Sequence, residues 1–182
     1  MITIIFEAHG TTHDNENKRA SGWDDVELSE LGKRQAKELG GRYKNEKLDA
    51  IFCSDLQRSY KTAEIAFVGP NVNIIKDVRL RECNYGDWTG KSSEEVEKEK
   101  ANCISTPFPN GESYEDTAKR MSSFLQDLLK NCDGKKVMII GHRATQYGLE
   151  HLIKGIPLKE AVRAPWRWQP GWTYYLEKIL YF

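Results

Sequence analysis

A three-layer α/β/α fold with a mostly parallel central sheet is predicted for this chain by three observations. Short apolar runs alternate with amphipathic segments along the 182 residues, the pattern of strands joined by helical crossovers. No repeat, low-complexity tract or linker interrupts that alternation, so residues 1–182 are expected to form a single domain. Two histidines, each beside a glycine, stand where an apolar run stops, in "IIFEAHG" and "VMIIGHR". In a parallel sheet ligands bind beyond the carboxyl ends of the strands. Separate strand ends can therefore bring His9 and His142 to one crevice.

The elements follow in order. Ile2–Phe6 reads as a buried strand. Ser29 is placed to cap a helix through Leu31, Ala36 and Leu39, with Gly40-Gly41 as its stop. Leu48–Phe52 is a short apolar run, and Ser54 is expected to start a helix through Leu56, Tyr60 and Ala63. Val72–Ile75 is a weak strand, and Ser93 to Lys100 a polar helix. After "PNGES" comes a strongly periodic helix from Tyr114 to about Leu129, with Ala118, Met121, Phe124, Leu125 and Leu128 on its apolar stripe. "KKVMII" is the central strand, Thr145 to Ile153 a helix, and "WTYYLEKILYF" a β-rich tail closing the sheet near an edge.

Composition narrows the function. Apolar residues make up 39% and charged residues 30%, ordinary for a soluble globular protein. Lys plus Arg and Asp plus Glu both number 27, and a net charge of zero argues against general nucleic-acid binding. No apolar run is long enough to span a bilayer and no signal-peptide pattern opens the chain, so a cytoplasmic location without membrane attachment is expected. Cys53, Cys83, Cys103 and Cys132 form no CxxC pair and read as reduced, partly buried thiols. His13 stands four residues after His9, but the intervening residues leave a strand rather than lie on a helix, and no third ligand accompanies them. No metal and no cofactor are expected.

Taken in order, these residues resemble the histidine phosphatase superfamily, also called phosphoglycerate mutase-like. "AHGTTHDN" is similar to the signature Arg-His-Gly-x-Thr-x-x-Asn, with His9, Gly10, Thr12 and Asn15 in place and Ala8 where the arginine belongs. "LSELGKRQA", "CSDLQRSYKTAE", "LRECNYGDWTG", "PNGES" and "IIGHRAT" follow in the family's order and place Arg58, Glu82 and His142 at its functional positions. The resemblance implies a phosphoglycerate mutase-like fold and phosphoryl transfer. His9 would be the nucleophile, its tautomer set by a hydrogen bond from the other ring nitrogen to a backbone carbonyl. Arg58 would clamp phosphate oxygens, and His142, as imidazolium, would add a positive donor. Glu82 would protonate the leaving oxygen and then activate water. Gly10 would let the backbone pass close to the phosphate, with Thr12 and Asn15 as neutral donors.

Ala8 removes one expected phosphate clamp. By sequence, Arg143 is the best-placed substitute, with Lys18, Arg19, Arg163 and Arg167 as others. The expected function is hydrolysis of a small phosphorylated metabolite by a histidine acid phosphatase-type phosphomonoesterase. The alternatives are a weakened or inactive homologue that binds phosphorylated ligands, and a phosphoglycerate mutase. The segment between Glu82 and Gly111 offers little material for a lid, which favours the phosphatase. Trp166, Trp168 and Trp172, with Arg167 between them, read either as a wall that stacks the substrate or as packing for the last strand or a second copy. The expected partner is thus the substrate, and a homodimer stays open.

Overall fold

The computed structural model describes residues 1–69 and 73–180. Its sheet has five strands: β1 (Ile2–Ala8), β2 (Ala50–Cys53), β3 (Ile74–Lys76), β4 (Lys136–Gly141) and β5 (Trp172–Leu176). Their order is β3-β2-β4-β1-β5, parallel throughout except for β5, which runs antiparallel to β1 at the edge. The expected α/β class, central "KKVMII" strand and β-rich edge are all present. Val72 of the weak strand, and Tyr181 and Phe182 of the tail, lie outside the described residues.

Alternation along β1 sets the two helical layers. Ile2, Ile4 and Phe6 pack with Met121, Phe124, Leu125, Leu149 and Leu152 from α5 (Tyr114–Asn131) and α6 (Arg143–Leu152). Ile5 faces the other way, onto Leu39 of α2 (Glu30–Tyr43) and Ala63 of α3 (Gln57–Ala66). The rest of the chain supplies α1 (His13–Glu16), α4 (Ser93–Glu99) and α7 (Leu158–Arg163). α7 was not anticipated. It is six residues long, too short for a periodic signal, and only packing of Leu158, Ala161 and Val162 holds it. No helix among the described residues is long and apolar enough to cross a membrane. Cys53, Cys83 and Cys132 are buried free thiols, and Cys103 is half-buried.

Two sequence expectations need correction. Gly40-Gly41 does not end α2, which continues to Tyr43. A Cβ on Gly40 would come within 2.1 Å of the Ala66 carbonyl, so that glycine lets α2 lie against the end of α3. Ser54 does not cap α3 either. The helix begins at Gln57, and the Ser54 hydroxyl is used elsewhere.

β1 also carries a fully buried carboxylate. Glu7 accepts hydrogen bonds from Arg42 Nη2 at 3.1 Å and the Tyr43 hydroxyl at 2.7 Å, both from the last turn of α2. Arg42 lies over the Trp168 ring at 5.8 Å, which ties the tail to this face. Arg42→Ala would leave the Glu7 charge buried and without its cation, a change expected to cost about 3 kcal/mol. Chemical denaturation measures it. A loss below about 1 kcal/mol would mean that Glu7 draws compensation from water or from Tyr43 alone.

Candidate active site

The carboxyl ends of β1, β2 and β4 deliver the first residues of the site. His9 follows β1, Ser54 follows β2, and His142 follows β4 and precedes α6. The parallel register pairs Ala8 with Gly141, and the His9 amide donates to the Gly141 carbonyl at 3.1 Å. That register places the His9 and His142 rings 5.0 Å apart, tilted by 58°.

The His9 tautomer follows from its partner. Nδ1 lies 2.7 Å from the Gly10 carbonyl, which can only accept, so Nδ1 carries the proton and Nε2 holds a free lone pair. Burial, then the Arg58 charge, pushes the His9 pKa down to about 3. The ring is therefore neutral through the ordinary pH range, as a nucleophile must be.

His142 departs from expectation. It is 1% exposed, and burial followed by the Arg58 charge holds its pKa well below the usual histidine value. In the ligand-free protein it is a neutral imidazole rather than an imidazolium. Nε2 lies 2.7 Å from Ser54 Oγ, while Nδ1 is buried with no partner among the described residues. Where the Ser54 hydroxyl donates to Nε2, Nδ1 bears the hydrogen and is a neutral donor; where Nε2–H donates to Ser54, Nδ1 is an acceptor for the amides that open α6.

Arg58, on the first turn of α3, is 3% exposed. Nη1 donates to the Asp24 carbonyl at 2.8 Å and Nη2 to the Gly22 carbonyl at 2.6 Å. The loop between α1 and α2 thus aims the guanidinium. Burial lowers the Arg58 pKa and Glu82 is the largest charge opposing it, yet an arginine stays cationic. Glu82 is 8% exposed. Its Oε1 accepts from the amides of Cys83 at 2.8 Å and Ala144 at 3.2 Å, the latter in the first turn of α6. Oε2 accepts no hydrogen bond among the described residues.

Gly10, Thr12 and Asn15 serve the scaffold. The Gly10 amide donates to Thr62 Oγ1 at 3.0 Å, and its absent Cβ would sit 2.5 Å from the Gly32 carbonyl. The glycine is needed for the loop to lie against α2, which is a different reason from a close pass to phosphate. Thr12 is fully buried and caps α1, accepting from the Asn15 amide at 3.1 Å. Asn15 Oδ1 in turn accepts from the Thr12 amide at 3.0 Å. Neither Thr12 Oγ1 nor Asn15 Oδ1 is idle, although the Asn15 side-chain amide nitrogen has no partner among the described residues. His13 is exposed and lies 3.8 Å from Glu16. No group of three or more metal-ligating side chains occurs among the described residues.

Arg143 opens α6 directly after His142. Its guanidinium carbon lies 4.9 Å from the Trp166 ring, and Nη1 donates to Glu97 Oε2 at 3.2 Å. Its side chain is 48% exposed, and its charge contributes to the lowered pKa of His9. Lys18, Arg19, Arg163 and Arg167 are exposed. The tail tryptophans divide. Trp166 stacks on Trp172 at 6.0 Å and meets Arg143, whereas Trp168 lies over Arg42, against α2. Of the three, Trp166 meets a candidate site residue, Arg143, while Trp172 packs on Phe6, so no continuous aromatic wall forms.

Ser54, Thr62 and the carbonyls of Gly22 and Asp24 were missed from sequence as parts of the site. The Ser54 position after a strand was a visible signal, whereas the carbonyls have no side-chain signature.

A model of the histidine phosphatase superfamily (branch 1) matches residues 4–171. Phosphoserine phosphatase 1 of Hydrogenobacter thermophilus is 30% identical over 88% of this chain and 80% of its own length. The phosphoglycerate mutase of Schizosaccharomyces pombe is 32% identical over 96% and 90%. The solved structure of Bacillus stearothermophilus YhfR superposes with a TM-score of 0.80 at 30% identity, covering 91% of this chain and 86% of that one.

Proposed function

The chain belongs to the histidine phosphatase superfamily, branch 1, and from that premise we propose that it hydrolyses a small phosphomonoester through a phosphohistidine on His9. The observation that carries this reading is the His9 tautomer, with Nδ1–H on the Gly10 carbonyl and the Nε2 lone pair free beside Arg58 and His142. Nε2 attacks phosphorus in line, and the bond from phosphorus to the ester oxygen breaks. Arg58 donates to the equatorial oxygens, joined by His142 in the tautomer that carries its hydrogen on Nδ1. The leaving alkoxide takes its proton from Glu82 Oε2, the oxygen that the Cys83 and Ala144 amides leave free. In the second half, the Glu82 carboxylate accepts a proton from water as that water attacks the phosphohistidine. His9 leaves as a neutral imidazole and inorganic phosphate departs.

Hydrolysis rather than transfer to a second substrate is supported by the sparse cover. Between Glu82 and Gly111 the chain builds α4, seven residues long, and short turns. Such a cover is poorly suited to keeping water from a phosphoenzyme. Positive charge at the site comes from Arg58, with His142 beside it as a neutral imidazole, so turnover is expected without added metal. The relatives' names put phosphoserine and phosphoglycerates on the first substrate panel, beside sugar phosphates and nucleotides.

The test uses para-nitrophenyl phosphate and then that panel. A substrate that turns over should leave an acid-labile phosphoryl group on His9 after a rapid alkaline quench, located by mass spectrometry. Turnover with the label on another residue, or with no adduct during the burst, would defeat the phosphohistidine mechanism.

A further inference from the structure

The phosphate site lacks the side chain that position 8 would supply, and the structure shows where a substitute stands. Alternate residues of β1 face opposite layers, and Ala8 continues the series Ile2, Ile4, Phe6 that faces α5 and α6. Arg143 is the first residue of α6, two residues beyond Gly141, the partner of Ala8 across β1 and β4. A side chain from position 8 and one from position 143 thus leave the chain on the same side of the sheet, beside His9 and His142.

Arg143 is held at the rim by weak forces. Its pairing with Glu97 joins two half-exposed side chains, an interaction that water and salt screen, and it also meets the face of Trp166 and the Tyr147 hydroxyl one turn along α6. A phosphoryl dianion between buried donors offers charge-assisted, two-pronged hydrogen bonds instead, the stronger option for a guanidinium. Glu97 would not be stranded by the exchange. Its Oε1 is already paired with Lys100 at 2.5 Å, and Lys100 is itself buried beside the Tyr147 hydroxyl.

We infer that Arg143, swinging from Glu97 on α4, provides the second guanidinium clamp on the transferred phosphoryl group, in place of an arginine at position 8. Glu97 is then a positioning residue that competes with the phosphate for Arg143. The inference rests on the phosphatase reading, and the same assays separate the two.

The experiment measures the inhibition constant for inorganic phosphate and kcat/KM on para-nitrophenyl phosphate, with the melting temperature recorded for each variant. Arg143→Ala should weaken phosphate about tenfold or more and lower kcat/KM about a hundredfold. In that background Ala8→Arg should restore both to within about fivefold of the parent, because either backbone position can then supply the one guanidinium required. Added guanidinium ion should rescue Arg143→Ala where urea does not, a readout that needs no second substitution. Glu97→Gln should tighten phosphate severalfold. Phosphate binding and turnover within twofold of the parent in Arg143→Ala would overturn the inference, and a parent that turns over through His9 would leave the phosphatase reading intact. A loss in Arg143→Ala rescued by neither Ala8→Arg nor guanidinium would also overturn it, since Arg143 would then act outside the clamp. A parent protein that neither hydrolyses the ester nor binds phosphate would remove the phosphatase reading, and this inference with it.

Discussion

His9→Ala is expected to lower kcat by about 10⁴-fold or more, because it removes the atom that bonds to phosphorus. Water attacking directly would have to enter where Nε2 stood, without the alignment that the Gly10 carbonyl gives the imidazole. The variant should still fold. His9 sits at the end of β1, and its backbone amide keeps its bond to the Gly141 carbonyl. Its stability provides an independent check on the environment of the ring. The native His9 pKa, about 3, lies below the ordinary value near 6.5. The unfolded chain therefore binds the proton more readily, so wild-type stability is complete above about pH 6.5 and falls as pH drops toward the native pKa. Alanine carries no such penalty. From pH 7 to pH 5 the variant should gain on the wild type by up to about 1 kcal/mol per pH unit. Retention of full activity would sink the nucleophile assignment. A difference in stability that does not change with pH would sink the account of a buried neutral ring.

Glu82→Gln should separate substrates by leaving group. An alkoxide from a sugar or serine phosphate needs a proton as it departs, whereas para-nitrophenolate needs little help. Losses of about 10²–10⁴-fold are expected for the first class and about tenfold or less for the second. Glutamine preserves the scaffold, since its amide oxygen can still accept from the Cys83 and Ala144 amides as Oε1 does. What it lacks is the ionisable oxygen. Equal losses on both kinds of ester would assign Glu82 to positioning the loop and the start of α6, and would remove it from proton transfer.

Most of the architecture was legible because the relevant signals are local. The apolar run of β4, the serine cap of α2 and the stripe along α5 each lie within a window of one element. Histidines at two strand ends predicted a shared crevice because parallel strands present their carboxyl ends together. Gly40 was misread for want of a distant neighbour. A glycine that ends a helix and one that admits a second helix look alike until the Ala66 carbonyl is placed against it. Glu7 gave no warning of its burial, since its cation and its hydroxyl lie 35 and 36 residues away.

The sequence by itself determined which chemistry is present: a histidine after β1, another after β4, an arginine on the first turn of α3 and a carboxylate at position 82. It also determined that position 8 has no charge to give. Tertiary structure alone decided how those groups behave. Ser54 meets His142 across 88 residues, and the Arg58 guanidinium is aimed by carbonyls 34 and 36 residues before it. Both imidazoles are held neutral by burial and by a shared arginine. The physical reason is that residue type and spacing encode local backbone geometry, whereas protonation, aim and partner depend on desolvation and on charges brought together by packing.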